Sequence, residues 1–231
     1  MMKRLIAISA FLLFSIATAQ QVNALEVVVA DTKVKLATPK GFCLLDKKNP
    51  KDNQVIVGTQ QALQGRKELL ARFAPCDRLK AWREGKAPDL GDSADYQILT
   101  TMKAQKVSSR ETISSVCTEF RKQGSASVAQ GGTDAINKGL DSIKALAGNV
   151  KVNSQKMYGV LHEDETGCYA GLIQKIQTPS KVTTAFTVMT VTVVAGKIIY
   201  FYHGGDFDDT SVVKRLLDTS RSTMRATLAQ N

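Results

Sequence analysis

The chain has 231 residues, 43% of them hydrophobic, with 31 Lys and Arg against 21 Asp and Glu for a formal charge of +10. That apolar share supports a globular core and excludes a disordered or low-complexity chain. The positive residues are scattered without a run like a nucleic-acid arm, so they read as a solvated basic surface. Anionic surface polymers suit it as a partner and nucleic acid does not.

Lys3 and Arg4 precede an apolar stretch at 5–16, followed by Ala17-Thr18-Ala19 and, as a second small-x-small site, Val22-Asn23-Ala24. This predicts a signal peptide over 1–24, cleaved after Ala19 or Ala24, and a periplasmic or secreted mature chain. The apolar stretch is too short for a membrane span. Cleavage lowers the formal charge from +10 to +8 by removing Lys3 and Arg4. The remaining 25–231 are enough for a single α+β domain around one core.

In chain order, 26–30 and 33–37 are β-rich and joined by Asp31-Thr32, which predicts a small hairpin. Pro39-Lys40-Gly41 interrupts the pattern and Phe42-Cys43-Leu44-Leu45 resumes it. Residues 46–53 are polar, with Lys47, Lys48 and Lys51, and predict a surface loop. From Asp52 a helix would carry Val55, Ile56, Thr59, Ala62 and Leu63 on one face and stop at Gly65. Residues 68–76 predict a strand, and 77–84 a helical turn with Leu79 and Trp82 inward. After a loop at 85–93, a strand is expected at 95–102. Ser108 or Ser109 opens a helix to about Gln123, with Ile113, Val116, Cys117 and Phe120 on one face. The Gly-, Ser- and Ala-rich residues 123–133 read as a mobile loop. A helix from Thr133 or Asp134 to about Ala147 follows it.

Residues 157–162 and 168–177 predict two strands around an acidic hairpin loop, Glu163-Asp164-Glu165-Thr166-Gly167. The last fifty residues organise the rest. Two runs at 183–194 and 198–202, dense in Val, Thr, Ile and aromatics, flank Ala195-Gly196-Lys197 and predict a central hairpin. Gly204-Gly205 is expected to turn the chain sharply into an amphipathic helix at 210–229, capped by Asp208 or Asp209. Its apolar stripe is Val212, Val213, Leu216, Leu217, Met224 and Leu228. Residues 182–203 are long enough to span a bilayer, but Thr recurs at 183, 184, 187, 190 and 192 and Lys197 would lie at depth, which favours the hairpin. The expected class is α+β: an antiparallel β-sheet flanked by helices, with a closing β-hairpin followed by a C-terminal amphipathic helix.

Four cysteines in an exported chain predict two disulfides. Three pairings are open; closeness in sequence favours Cys43–Cys76 and Cys117–Cys168. Neighbouring cysteines lie more than 30 residues apart, which argues against zinc. The polar clusters are His162-Glu163-Asp164-Glu165 and His203 with Asp206, Asp208 and Asp209. The first reads as a charged hairpin tip rather than a calcium loop, the second as helix capping. His162 and His203 are the two histidines, next to acids at predicted strand ends, where surface ion pairs are expected. A Ser-His-Asp set is arithmetically possible, but no Gly-x-Ser-x-Gly elbow is present. Gly131-Gly132-Thr133 lacks the ending and spacing of phosphate and dinucleotide loops. Tyr200, Phe201 and Tyr202 alternate faces on a strand and read as core. No cofactor and no metal site is expected.

Pro39-Lys40-Gly41-Phe42 after an early strand, and the closing order of two hairpins and a helix over 157–229, together resemble the PsbP/MOG1-like α+β proteins. The resemblance lies in element order over about half the chain. It implies an antiparallel sheet flanked by helices; it implies no catalytic set and carries over no functional residue. The helical insert at 108–147 and the four cysteines depart from that group. The expected function is that of a non-enzymatic binding or accessory protein of the bacterial cell envelope, with an unidentified protein or envelope component as partner. The alternatives are a secreted hydrolase using His162 or His203 and a binder of surface polyanions.

Overall fold

The computed structural model describes residues 24–63, 65–123, 150–178 and 181–231, with Thr133, Asp134, Asn137, Lys138, Leu140 and Asp141. The expected signal peptide up to residue 23, the interior of the expected 123–133 loop and most of the helix expected at 133–147 lie outside the described residues.

The described residues begin with a hairpin of β1 (Ala24–Val29) and β2 (Thr32–Ala37), then β3 (Phe42–Leu44), α1 (Pro50–Ala62), β4 (Lys67–Pro75), α2 (Cys76–Arg83) and β5 (Ser93–Leu99). A 3-10 turn at Thr100–Met102 leads to α3 (Ser109–Gln123). Then come β6 (Lys151–Asp164), β7 (Gly167–Gln177), β8 (Val182–Val194), β9 (Lys197–Asp206) and a last helix, α4 (Thr210–Leu228). β1 and β2 form their own two-stranded sheet. The others form one antiparallel sheet in the order β3-β4-β5-β9-β8-β7-β6. The fold is α+β, as the patterning implied, and β9 and β8 are interior strands.

Local chemistry sets most boundaries. β8 and β9 meet through Ala195-Gly196, both at positive φ (50° and 77°), the mirror-image turn that matches strand twist. Lys197 is therefore the first residue of β9 and not part of the turn. The first hairpin turns one residue early, at Ala30-Asp31, with Ala30 at φ 54°. α1 begins before Asp52 because Asn49 accepts hydrogen bonds from the backbone N–H of Lys51 and Asp52 (3.0 and 3.3 Å) and Pro50 occupies the first turn. α4 is capped by Asp209, which accepts from Ser211 N at 2.6 Å.

Two expectations are corrected. Gly204 and Gly205 are strand residues paired with Thr187 and Phe186, not a turn. A Cβ at 204 would stand 2.6 Å from Thr187 Oγ1, and one at 205 would meet the Asp92 carboxylate, so these glycines serve close approach. The acidic hairpin loop shrinks to Glu165-Thr166, because Asp164 pairs with Gly167 and β6 runs through His162, Glu163 and Asp164.

One face of the large sheet carries the main core. Phe73, Tyr96, Phe186, Ile199 and Phe201 pack against Leu216 and Met224 of α4 and Leu36 of β2. The other face is covered at its two sides. α1 and α2 lie over β3 and β4 around Leu45, Leu79 and Trp82. α3 lies over β6 to β8 through Ile113, Val116 and Phe120. Disulfides fix both layers, Cys43–Cys76 joining β3 to α2 and Cys117–Cys168 joining α3 to β7. Among the described residues no helix is long and apolar enough to cross a membrane.

Side-chain amides occupy three open sheet edges. Gln60 of α1 bonds Lys67 O (3.1 Å) and Leu69 N (2.8 Å) where β4 runs past the end of β3. Asn137 bonds Val152 O (3.0 Å) and N (2.7 Å) on the outer edge of β6. Asn231 bonds Lys35 O (2.8 Å) and N (2.9 Å) on β2. Each amide satisfies the donor and acceptor that a further strand would have used.

Candidate functional site

Among the described elements, α1 and α2 lie over β3 and β4 and α3 over β6 to β8, which leaves a strip of β4, β5 and β9 between them less covered. Strand alternation and register decide what lines it. Arg72 pairs with Asp95 and Asp95 with Tyr202; Leu69 pairs with Gln97 and Gln97 with Tyr200. All these side chains share one face. A bulge between Leu69 and Ala71 brings Lys67 onto the same face. Asp95 and Gln97 are buried, while Lys67, Arg72, Tyr200 and Tyr202 are half-buried. Phe120 of α3 flanks the two tyrosines together with Met157 and Met189.

These groups form one connected polar cluster on an aromatic floor. Asp95 accepts from Gln97 Nε2 (2.6 Å) and Arg72 Nη1 (3.2 Å). Lys67 Nζ donates to the Tyr202 hydroxyl and lies 4.7 and 4.8 Å from the ring centroids of Tyr200 and Tyr202. Those rings are nearly parallel, 13° apart with centroids at 6.4 Å. Cation–π attraction thus holds an ammonium on two aromatic faces. Among the described residues no carboxylate forms an ion pair with Lys67.

The electrostatics follow from burial. Burial pushes the Lys67 amine down to about 8, against the opposing pull of Asp95. Burial pushes the Asp95 carboxyl up, although Arg72, Gln97 and Lys67 all pull it down. The Tyr202 phenol is held far above its ordinary value by burial and the charge of Asp95, so it stays neutral. Arg72 Nε is buried and has no hydrogen-bond partner among the described residues. The cluster can present an ammonium, a guanidinium edge and two phenols to a ligand.

The residues singled out from the sequence lie elsewhere. His162 sits on β6 with Nε2 3.2 Å from Asp164 Oδ2. Burial raises the Asp164 carboxyl, but hydrogen bonds from Thr166 and Arg221 outweigh this and leave it below its ordinary value. Arg221 and Arg225 of α4 both approach Asp164, at 3.1 and 4.0 Å. Glu163 pairs with Arg121 of α3 at 2.6 Å, and Glu165 is exposed at the turn. The tip is thus a clasp between a hairpin and two helices. Asp206 and Asp208 are exposed beside the start of α4.

His203 overturns its expectation of a surface ion pair. It points into the core, 1% exposed, with Nδ1 3.3 Å from Leu216 O, an edge contact to Phe42 at 5.3 Å and, among the described residues, no partner for Nε2. Alternation on β9 sends it with Phe201 to the α4 face. Neither histidine is hydrogen-bonded to a serine among the described residues. Among those residues, too, no group of three or more His, Cys, Asp or Glu is placed to hold a metal ion.

Phe201 is core, as expected, but Tyr200 and Tyr202 are not simply core: two positions apart on one strand, they form the floor of the strip. The sequence did not single out Lys67, Arg72, Asp95 or Gln97. The available signal was Ala94-Asp95-Tyr96-Gln97-Ile98, polar residues alternating with apolar ones. No family model and no curated protein matches the chain.

Proposed function

We propose that this chain is an exported, non-enzymatic binding protein of the bacterial cell envelope, periplasmic or secreted, and that the strip between α1/α2 and α3 is its binding surface. The observation that carries the proposal is the half-buried Lys67–Tyr202–Tyr200 group beside Arg72 and Asp95, held on a rigid sheet between two disulfide-tied layers. Charged and aromatic groups fixed at a partly dry surface suit recognition. The commitments of the histidines support a non-catalytic reading: His203 is a neutral core residue and His162 belongs to the Asp164–Arg221 clasp. Paired cysteines and the leader-like start support export. The PsbP/MOG1-like resemblance remains a fold-level proposal resting on element order, and it fixes no function.

The experiment is affinity capture from envelope extract by the mature protein, with an Asp95→Asn/Arg72→Met variant as comparison. A partner retained by the first and lost by the second is expected; equal retention, or none, removes the strip as the binding surface. Sequencing the secreted or periplasmic protein should give Gln20 or Leu25 as its first residue, with no free thiol. An intact leader or four reactive thiols would end the export proposal.

A further inference from the structure

The strip holds two cations, Lys67 and Arg72, against one buried carboxylate, and geometry assigns that carboxylate to Arg72. Lys67 is left with a phenol oxygen and two ring faces. Its ammonium has three donors, and the Tyr202 hydroxyl takes one. An arriving anion therefore meets an ammonium that has no ion-pair partner among the described residues, and a ligand oxygen can accept from the Lys67 donors that Tyr202 does not take.

The energetics favour such an anion. Part of the cost of taking the Lys67 ammonium out of water is already borne by the fold, which packs it against the two tyrosine rings. An ion pair made in that partly dry setting is stronger than the same pair in bulk water. The near-parallel rings of Tyr200 and Tyr202, with Met157, Met189 and Phe120 beside them, supply apolar surface for whatever the anion is attached to.

We infer that Lys67, with Tyr200 and Tyr202 as its floor, is the anchor of a carboxylate-binding subsite that takes a carboxylate borne on a flat or apolar group. The inference rests on the binding proposal above and names the chemistry of that same strip. The carboxylate belongs either to a small molecule or to an acidic side chain of a polypeptide, and the two arms of the test separate these sources.

The test titrates the 15N-labelled mature protein with benzoate in one arm and with a short glutamate-rich peptide in the other, with benzyl alcohol as the uncharged control. The expected result is saturable shifts of amides in β4, β5 and β9 with at least one carboxylate probe and none with benzyl alcohol. Lys67→Met should weaken that binding at least tenfold, and Lys67→Arg should restore part of it. Unchanged amide positions elsewhere in both variants establish that the fold is intact. A response confined to benzoate assigns a small molecule; one confined to the peptide assigns a polypeptide; either supports the subsite. No response to either probe at tens of millimolar, or binding undiminished in Lys67→Met, overturns it. If a captured envelope partner still depends on Arg72 and Asp95 while both probes fail, the binding surface survives and only the carboxylate assignment falls.

Discussion

Protonating His203 would place a cation between Phe42 and Phe201, whose ring centroids lie 5.3 and 6.3 Å from the imidazole. Burial holds its pKa down at about 4, against the upward pull of Leu216 O and Asp92; Arg215 adds to the depression. The unfolded chain, with an ordinary value of 6.5, takes up the proton first. Stability from this residue is complete above pH 6.5 and falls as the pH drops towards 4, by about 3 kcal/mol in all. Urea unfolding at pH 7 and pH 4.5 should show His203→Leu losing about 2–3 kcal/mol less than the parent over that interval. Equal slopes for the two proteins would mean that His203 does not titrate in this way. Its burial was not legible in the sequence, because Phe42, whose ring stands against it, comes from a distant segment. The Asp209 cap was legible, because the amide it serves lies two residues along the chain.

At the scale of elements, strands and helices that declare themselves by local periodicity were readable: the β8–β9 hairpin, α3 and α4 all fall within a few residues of expectation. The failures occur where a long-range contact overrides a local signal. Gly204-Gly205 reads locally as a turn, yet it continues β9 because Thr187 and Asp92 need room beside it. The strip was hidden for the same reason, since Lys67, Asp95 and Tyr202 meet only once β4, β5 and β9 pair. α3 offers the sharpest test of an element's attachment. It is tied to β7 by Cys117–Cys168, a link spanning 51 residues. A crosslink of that span stabilises by about 4 kcal/mol in the chain-entropy account. The double variant Cys117→Ala/Cys168→Ala should lose about that much. Amide exchange should quicken throughout α3 while the interior strands β5 and β9 keep their protection. A loss spread evenly over both strands and helix would show that α3 does not open as a separate unit.

Across the whole molecule, the order β3-β4-β5-β9-β8-β7-β6 leaves long strands beside open edges, and the seven-stranded sheet does not close into a barrel. Open edges invite pairing with other chains. β6, the longest strand, answers with three register irregularities and with the Asn137 clamp at Val152. Gln60 and Asn231 clamp β4 and β2 in the same manner. The three amides come from three distant parts of the chain and converge on one device, a planar group that offers both a donor and an acceptor. Replacing any one by Ala exposes a backbone pair and should cost about 1–2 kcal/mol, least at Asn231, where water can take over. Replacing all three should do something that stability alone does not report: it should reopen three edges at once. The triple variant Gln60→Ala/Asn137→Ala/Asn231→Ala is expected to self-associate through added strands, seen as concentration-dependent light scattering and thioflavin binding under conditions where the parent stays monodisperse. A Gln60→Glu/Asn137→Asp/Asn231→Asp variant separates the causes, because each carboxylate keeps an acceptor for the edge N–H and adds a charge that repels an incoming strand. If the carboxylate variant aggregates as readily as the alanine variant, loss of stability and not edge exposure drives association, and the clamps serve only to hold α1 and the C-terminal end in place.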